Sequence, residues 1–249
     1  MKTALRIAGK EINGFRNSAE AYLFLILFVV TLSGSYFVWG FFGHTFFQEA
    51  TTEMDVFFYL LPWAFILLIP ALSMKLWPDE LKRGTIEVLL SYPVKSWQVV
   101  LGKFLGGLAV IVLALLCTVG APIIVSGYGS IDWGPVVGAY LGGLLLGAAF
   151  LSVGLFMGAL CKEQVSAFIL TAFVCLLFVA IGASFIVQTV PEKILGIPFR
   201  EIGETLSFYS RFEHLGRGIV DLENVIYFLA VTTLFLVLNI TVIECRKGK

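Results

Sequence analysis

The sequence predicts an all-α polytopic membrane protein with six transmembrane helices, on three observations. Of the 249 residues, 59% are hydrophobic and only 14% carry charge, against roughly 25% charged in a soluble domain, so the chain cannot present a polar surface on every side. Six charge-free stretches, residues 21–48, 56–74, 104–131, 133–161, 164–191 and 224–243, are each near the ~20 residues needed to cross about 30 Å of hydrocarbon. None shows the ten-residue alternation of a membrane barrel, which leaves helices as the form that satisfies its own backbone hydrogen bonds in lipid.

Residues 1–249 read as one membrane domain. Its first 18 residues come before any span. There Leu5, Ala8, Ile12 and Phe15 recur at steps of three and four, with Lys2, Arg6, Lys10 and Asn13 on the opposite face. That pattern suits an amphipathic helix lying in the headgroup layer. The first apolar run is too long for a signal peptide's core and no small-x-small cleavage site closes it, so it reads as a retained anchor. Allowing for polar ends, the spans are placed near 21–42, 57–76, 104–126, 135–160, 165–187 and 224–243.

The zero net charge conceals sorting by position. Putting both termini inside assigns 13 Lys and Arg, from Lys2 and Arg6 through Lys82, Arg83 and Lys103 to Lys249, to inner segments and only Lys193, Arg200, Arg211 and Arg217 to outer ones. Lys/Arg bias sets topology, so both termini are expected in the cytoplasm.

Several features narrow the function. No ionisable residue falls in the middle of a predicted span, which disfavours a proton- or sodium-coupled carrier. No G-x-x-x-x-G-K-[ST] phosphate loop occurs, so nucleotide hydrolysis would belong to another polypeptide. Cys117 and Cys175 lie in spans and Cys161 and Cys245 at helix ends without C-x-x-C spacing, which reads as small apolar packing rather than a metal or redox site. His214 with Glu213 and Asp221 is the one thin arrangement a membrane enzyme would offer, and a solvated outer helix explains it better. Nothing points to nucleic acid, a metal or a bound cofactor.

Two spans carry helix-shaping residues. Pro62 and Pro70 are each expected to remove a backbone hydrogen bond and bend span 2. Span 4 repeats glycine at small-xxx-small spacing, including Gly138, Gly142, Gly147, Gly154 and Gly158, which lets another helix approach closely. Packing inside the bundle, a subunit contact or a substrate path all use such a stripe.

Between spans 2 and 3 runs WPDELKRGTIEVLLSYP, residues 77–93. Pro78 can open a helix, and Asp79 and Glu80 in its first turn oppose the positive end of the helix dipole. Leu81, Ile86, Leu89 and Leu90 supply apolar anchors, Arg83 and Glu87 polar ones, Gly84 permits a bend, and Pro93 ends the run. Such a segment can lie in a partner's groove or rest on the bilayer.

The stretch from 57 to 182 resembles the permease subunits of type 2 ABC exporters, most nearly the gliding-motility-associated group and its nitrous-oxide-reductase-maturation relatives. The likeness rests on Pro62-Trp63 and Pro70, on the pattern E-x-x-x-G-T-x-E-x-L-x-x-x-P from Glu80 to Pro93, on Trp97, Gly102 and Lys103, and on Asp132-Trp133-Gly134 with Gly138 and Tyr140. It implies a non-catalytic subunit that works with a second, like or unlike, permease chain and with separate ABC ATP-binding subunits holding ATP and Mg. It implies that the amphipathic start is an elbow helix and that Asp79, Glu80, Leu81, Arg83, Gly84, Thr85, Ile86 and Glu87 form a coupling helix. Residues 188–223 become an outer helical insertion. The alternative within the same likeness is a membrane anchor or mechanical-coupling subunit beside an accessory membrane protein, without classical cargo.

Overall fold

The computed structural model describes residues 2–39, 54–84, 94–181, 203, 205–218 and 221–247. Among these, every regular element is helical. In chain order they are α1 (Lys2–Arg16), α2 (Ala19–Gly34) with a π-helical continuation Ser35–Trp39, α3 (Asp55–Tyr59), α4 (Leu61–Ser73), α5 (Pro78–Lys82), α6 (Ser96–Thr118), α7 (Gly120–Ser126), α8 (Trp133–Leu160), α9 (Gln164–Ala180), α10 (Phe208–Gly216) and α11 (Leu222–Lys247).

Among the described residues, five stretches are long and apolar enough to cross a membrane: Ala21–Val38, Asp55–Lys82, Ser96–Ser126, Trp133–Leu160 and Leu222–Arg246. The expected fifth span corresponds to α9, which is apolar throughout but is described over 17 residues, about 26 Å at 1.5 Å per residue. The rest of that predicted span, to residue 187, lies outside the described residues.

Helix α8 is the hub, with α4, α6, α9, α10 and α11 all packing on it. Its glycines explain why. A Cβ on Gly147 would come within 2.9 Å of Ile111, one on Gly143 within 3.2 Å of Leu61, and one on Gly142 within 3.2 Å of Leu215 and Phe212. Only bare backbone leaves room for so many neighbours on one 28-residue helix. Asp132 caps α8, its carboxylate accepting from the Gly134 amide at 3.0 Å.

The prolines act less symmetrically than expected. Pro62 stands in the first turn of α4, just after the break at Leu60, where its missing N–H is no loss. Only Pro70 sits inside a helix. Span 2 is therefore interrupted at Leu60, two residues before Pro62, and the backbone there keeps right-handed helical angles (φ −77°, ψ −17°).

Helix α10 runs back along α8 rather than over its end. Leu215 packs at Gly138 and Gly142, while the Phe208 ring lies 5.5 Å from Phe150 and stacks on Phe178 at 4.6 Å. Since 138 and 150 are about 18 Å apart along a helix, α10 enters from the Trp133 end and reaches mid-depth. Ser207 caps it, its hydroxyl accepting from the amides of Tyr209 at 3.1 Å and Ser210 at 3.3 Å. Burial, then the neighbouring Tyr59 hydroxyl and the Glu213 carboxylate, raise the Tyr209 hydroxyl pKa, so it stays neutral. Ser207→Ala is expected to cost about 1 kcal/mol, as a lost cap does, and to speed amide hydrogen exchange in α10 while leaving α8 unchanged. Of the outer insertion expected over 188–223, residues 188–202, 204, 219 and 220 lie outside the described residues.

Contacts divide the molecule into two ends. At one end α1, the start of α6, Pro78–Lys82, residues 161–164 and Arg246 meet: Lys82 pairs with Glu163 at 3.4 Å, Gln164 donates to Asp79, and Arg246 donates to the Ala159 carbonyl at 2.8 Å. At the other, Gly218 packs on Pro135 and Tyr59 on Tyr209 at 5.7 Å. The segments that charge sorting assigns to one side thus gather together.

Candidate functional site

The segment after span 2 is where the sequence concentrates its specific signal, and it is built from the backbone up. Pro78 opens α5, the Leu81 amide donates to the Trp77 carbonyl at 2.9 Å, and the helix stops at Lys82 with Arg83 as its cap. Gly84 follows at φ +67°, a left-handed setting that glycine takes without penalty and that commonly ends helices. Helix α5 therefore ends ahead of Gly84, the position at which the sequence permits a bend. Thr85, Ile86 and Glu87 lie outside the described residues, as do Leu89, Leu90 and Pro93.

The side chains of α5 divide by direction. Leu81 packs against the core. Lys82 and Arg83 are exposed. Asp79 is half-buried and accepts from the Gln164 side chain, linking this segment to the start of α9. Glu80 turns inward.

Its partner is Lys103, which the charge tally counts with the inner loops. Helix α6 begins at Ser96, eight residues before the predicted start of span 3, so Lys103 lies about two turns inside it. Its side chain is only 2% exposed. The ammonium meets the carboxylates of Glu80 at 3.0 Å and Glu11 at 3.1 Å, donates to the Leu76 carbonyl at 2.7 Å, and stands 5.0 Å from the centre of the Trp77 ring. A buried ammonium is expensive unless it is paired and its N–H groups are used. Three oxygens and an aromatic face meet that need here. Glu11 and Glu80 are themselves 17% and 20% exposed, so solvent screens the pairs weakly.

One cation thus ties three elements: α1 through Glu11, the α4–α5 junction through Leu76, Trp77 and Glu80, and α6 by its own backbone. Glycine makes the closeness possible. A Cβ on Gly102 would fall 2.7 Å from Ile7, and one on Gly106 would fall 2.6 Å from the Cβ of Glu11, so α1 crosses α6 almost backbone to backbone. The face of α1 that packs is consequently Ala4, Ile7, Ala8 and Glu11. Leu5 and Ile12, two members of the apolar stripe expected to lie together, are 61% and 41% exposed.

Family membership can now be stated against this geometry. The family of ABC-2 family transporter proteins matches residues 5–244. The chain belongs to it. No curated protein matches the chain. As an ABC-2 family protein it is a multi-pass membrane permease subunit of an ABC transporter, of a family that implies an ABC ATPase partner and whose members are typically non-catalytic.

The remaining marked residues of this ABC-2 protein line up along α8. Gly138 and Gly142 receive α10, Gly147 receives Ile111 and Phe65, Gly154 receives Ser73 and Thr171, and Gly158 faces Pro78 and Trp77 at 3.5 and 3.8 Å. Within the chain each of these glycines meets a neighbour's atoms, and the last two contact the α4–α5 junction at Ser73, Trp77 and Pro78. Among the described residues no group of His, Cys, Asp and Glu is placed to hold a metal ion.

Proposed function

We propose that this ABC-2 permease subunit belongs to an exporter in which closure of separate ATP-binding subunits pushes on residues 79–91 and moves spans 2 and 3. The permease is paired with a second copy or a related chain, both termini face the cytoplasm of a bacterial or archaeal cell, and ATP with Mg stays on the ATPase. The observation that supports this reading is the Lys103 junction. A push on α5 cannot be absorbed locally, because Glu80 and Trp77 are fastened to α6 and α1 through one buried ammonium. Coupling requires that the permease meet the two ATPase states differently. Exposed Arg83 and, beyond Gly84, Glu87 supply the polar contacts, while Glu80 works inside the permease.

The test reverses charge at the exposed positions. With the ABC ATPase co-purified and both reconstituted in liposomes, Arg83→Glu with Glu87→Lys is expected to lower permease-stimulated, vanadate-sensitive ATP hydrolysis by about tenfold or more, the scale of like charges brought together at an interface. Membrane insertion should be unchanged, since Arg83 is exposed and both positions lie outside the apolar spans. Undiminished stimulation would remove 79–91 as the docking segment. Failure of any ABC ATPase to co-purify would favour the anchor reading.

A further inference from the structure

A cavity of about 590 Å³ opens between α1, α2 and the α4–α5 junction, within the roughly 300–1,000 Å³ of small-molecule sites. It has two distinct parts. Leu23, Leu27 and Leu68 line one, and they belong to helices that cross the membrane. The other, at the level of the α1–α2 turn, is lined by Lys10, Lys75, Lys103, Glu11, Asp79 and Glu80. Leu23 and Leu27 are exposed on the outside of the bundle, so the apolar part is open to lipid. An amphiphile could enter it sideways, tail along α2 and head against α1.

The charges select the head. The described lining side chains carry three cations and three carboxylates. Lys103 is already held by Glu11 and Glu80, and Asp79 by Gln164, which leaves Lys10 exposed at the rim as a phosphate contact. A purely anionic head would reach Lys10 but would also face Asp79 and Glu80, a like-charge penalty. A dipolar head satisfies both sides. Carboxylate oxygens reward N–H donors, which a primary ammonium has and a quaternary one lacks.

We propose that this cavity binds one phospholipid with a zwitterionic, primary-amine headgroup, of the phosphatidylethanolamine type, taken from the leaflet that α1 faces. Its phosphate sits at Lys10, its ammonium at the second carboxylate oxygen of Asp79, the one that Gln164 does not occupy, and one acyl chain along Leu23, Leu27 and Leu68. The site depends on the chain being a membrane protein and not on the exporter reading. It is therefore tested on the full-length permease without any ATPase.

The experiment is native mass spectrometry of the delipidated protein in mild detergent, titrated separately with phosphatidylethanolamine, phosphatidylglycerol and phosphatidylcholine. One phosphatidylethanolamine is expected to bind about tenfold more tightly than either rival, a difference of about 1.4 kcal/mol. Asp79→Asn should erase the preference, Lys10→Ala should weaken all three lipids alike, and Ala71→Trp, which fills the cavity wall, should remove the adduct. Equal or tighter binding of phosphatidylglycerol or phosphatidylcholine overturns the proposal, and so does an adduct unaffected by Ala71→Trp. The ranking of the three lipids on the unaltered protein decides the matter even where a variant misfolds.

Discussion

Lys103→Met is expected to destabilise the solubilised protein by about 3–5 kcal/mol, the range seen when one partner of a buried ion pair is removed and the other is left behind. Two carboxylates would be stranded here, Glu11 and Glu80, facing each other across the space the ammonium occupied. Like charges at that distance repel, and the Leu76 carbonyl would lose its donor. Thermal unfolding in detergent should show a marked loss. The triple variant Lys103→Met, Glu11→Gln, Glu80→Gln separates stability from coupling. It removes all three charges at once, so most of the stability should return. If the junction carries motion from α5 to α6, ATPase stimulation stays low in the triple variant despite its recovered fold. Recovery of both would make Lys103 a structural brace alone.

Gly138→Ala is the second large effect. The added methyl would overlap the Leu215 carbonyl oxygen of α10, and a backbone atom cannot turn aside as a side-chain tip can. Either α10 withdraws from α8 or the bundle strains. Overpacking of this kind costs about 1–3 kcal/mol, and the backbone partner argues for the upper part of that range. Gly154→Ala meets Ser73 Oγ and, at 2.7 Å, its Cβ; a turn about χ1 relieves only the hydroxyl, so α4 must also give way by a few tenths of an ångström, a smaller displacement than the Leu215 carbonyl demands. Gly120→Ala provides the control, since nothing lies within 4 Å of that position. It should be neutral or slightly stabilising, because alanine restricts the unfolded chain. Unfolding midpoints for the three variants that failed to follow the order Gly138, Gly154, Gly120 would contradict the packing of α10 on α8.

The two cases show where sequence reasoning reaches. Apolar runs mark the membrane helices because a span is a local property of about 20 residues, and glycine spacing marks α8 because close approach needs a local absence of side chains. The sorting of Lys and Arg anticipates which segments meet at each end. Lys103 escapes the same logic. Standing one residue before the predicted span, it looks like a headgroup-level lysine, and only the start of α6 at Ser96 places it inside a helix. Its partners are 92 and 23 positions away, so no window of sequence holds the set. The packed face of α1 is hidden for a related reason: hydrophobic periodicity selects Leu5, Ala8, Ile12 and Phe15, whereas the contact with Gly102 and Gly106 takes Ala8 from that stripe together with Ala4 and leaves Leu5 and Ile12 exposed. Steric fit to a distant groove outweighs hydrophobicity where two backbones nearly touch.

That crossing of α1 over α6 also has a bearing on biogenesis. Glu11 leaves the ribosome 92 residues ahead of Lys103, an interval of about 5–20 s at ordinary rates of synthesis. Through that time the first helix has no groove to enter, and its exposed Leu5 and Ile12 are the groups that can hold it at the bilayer surface until the third hairpin arm arrives. Helix α1 is thus made well before the groove it enters and docks only once Gly102 and Gly106 of α6 are in place.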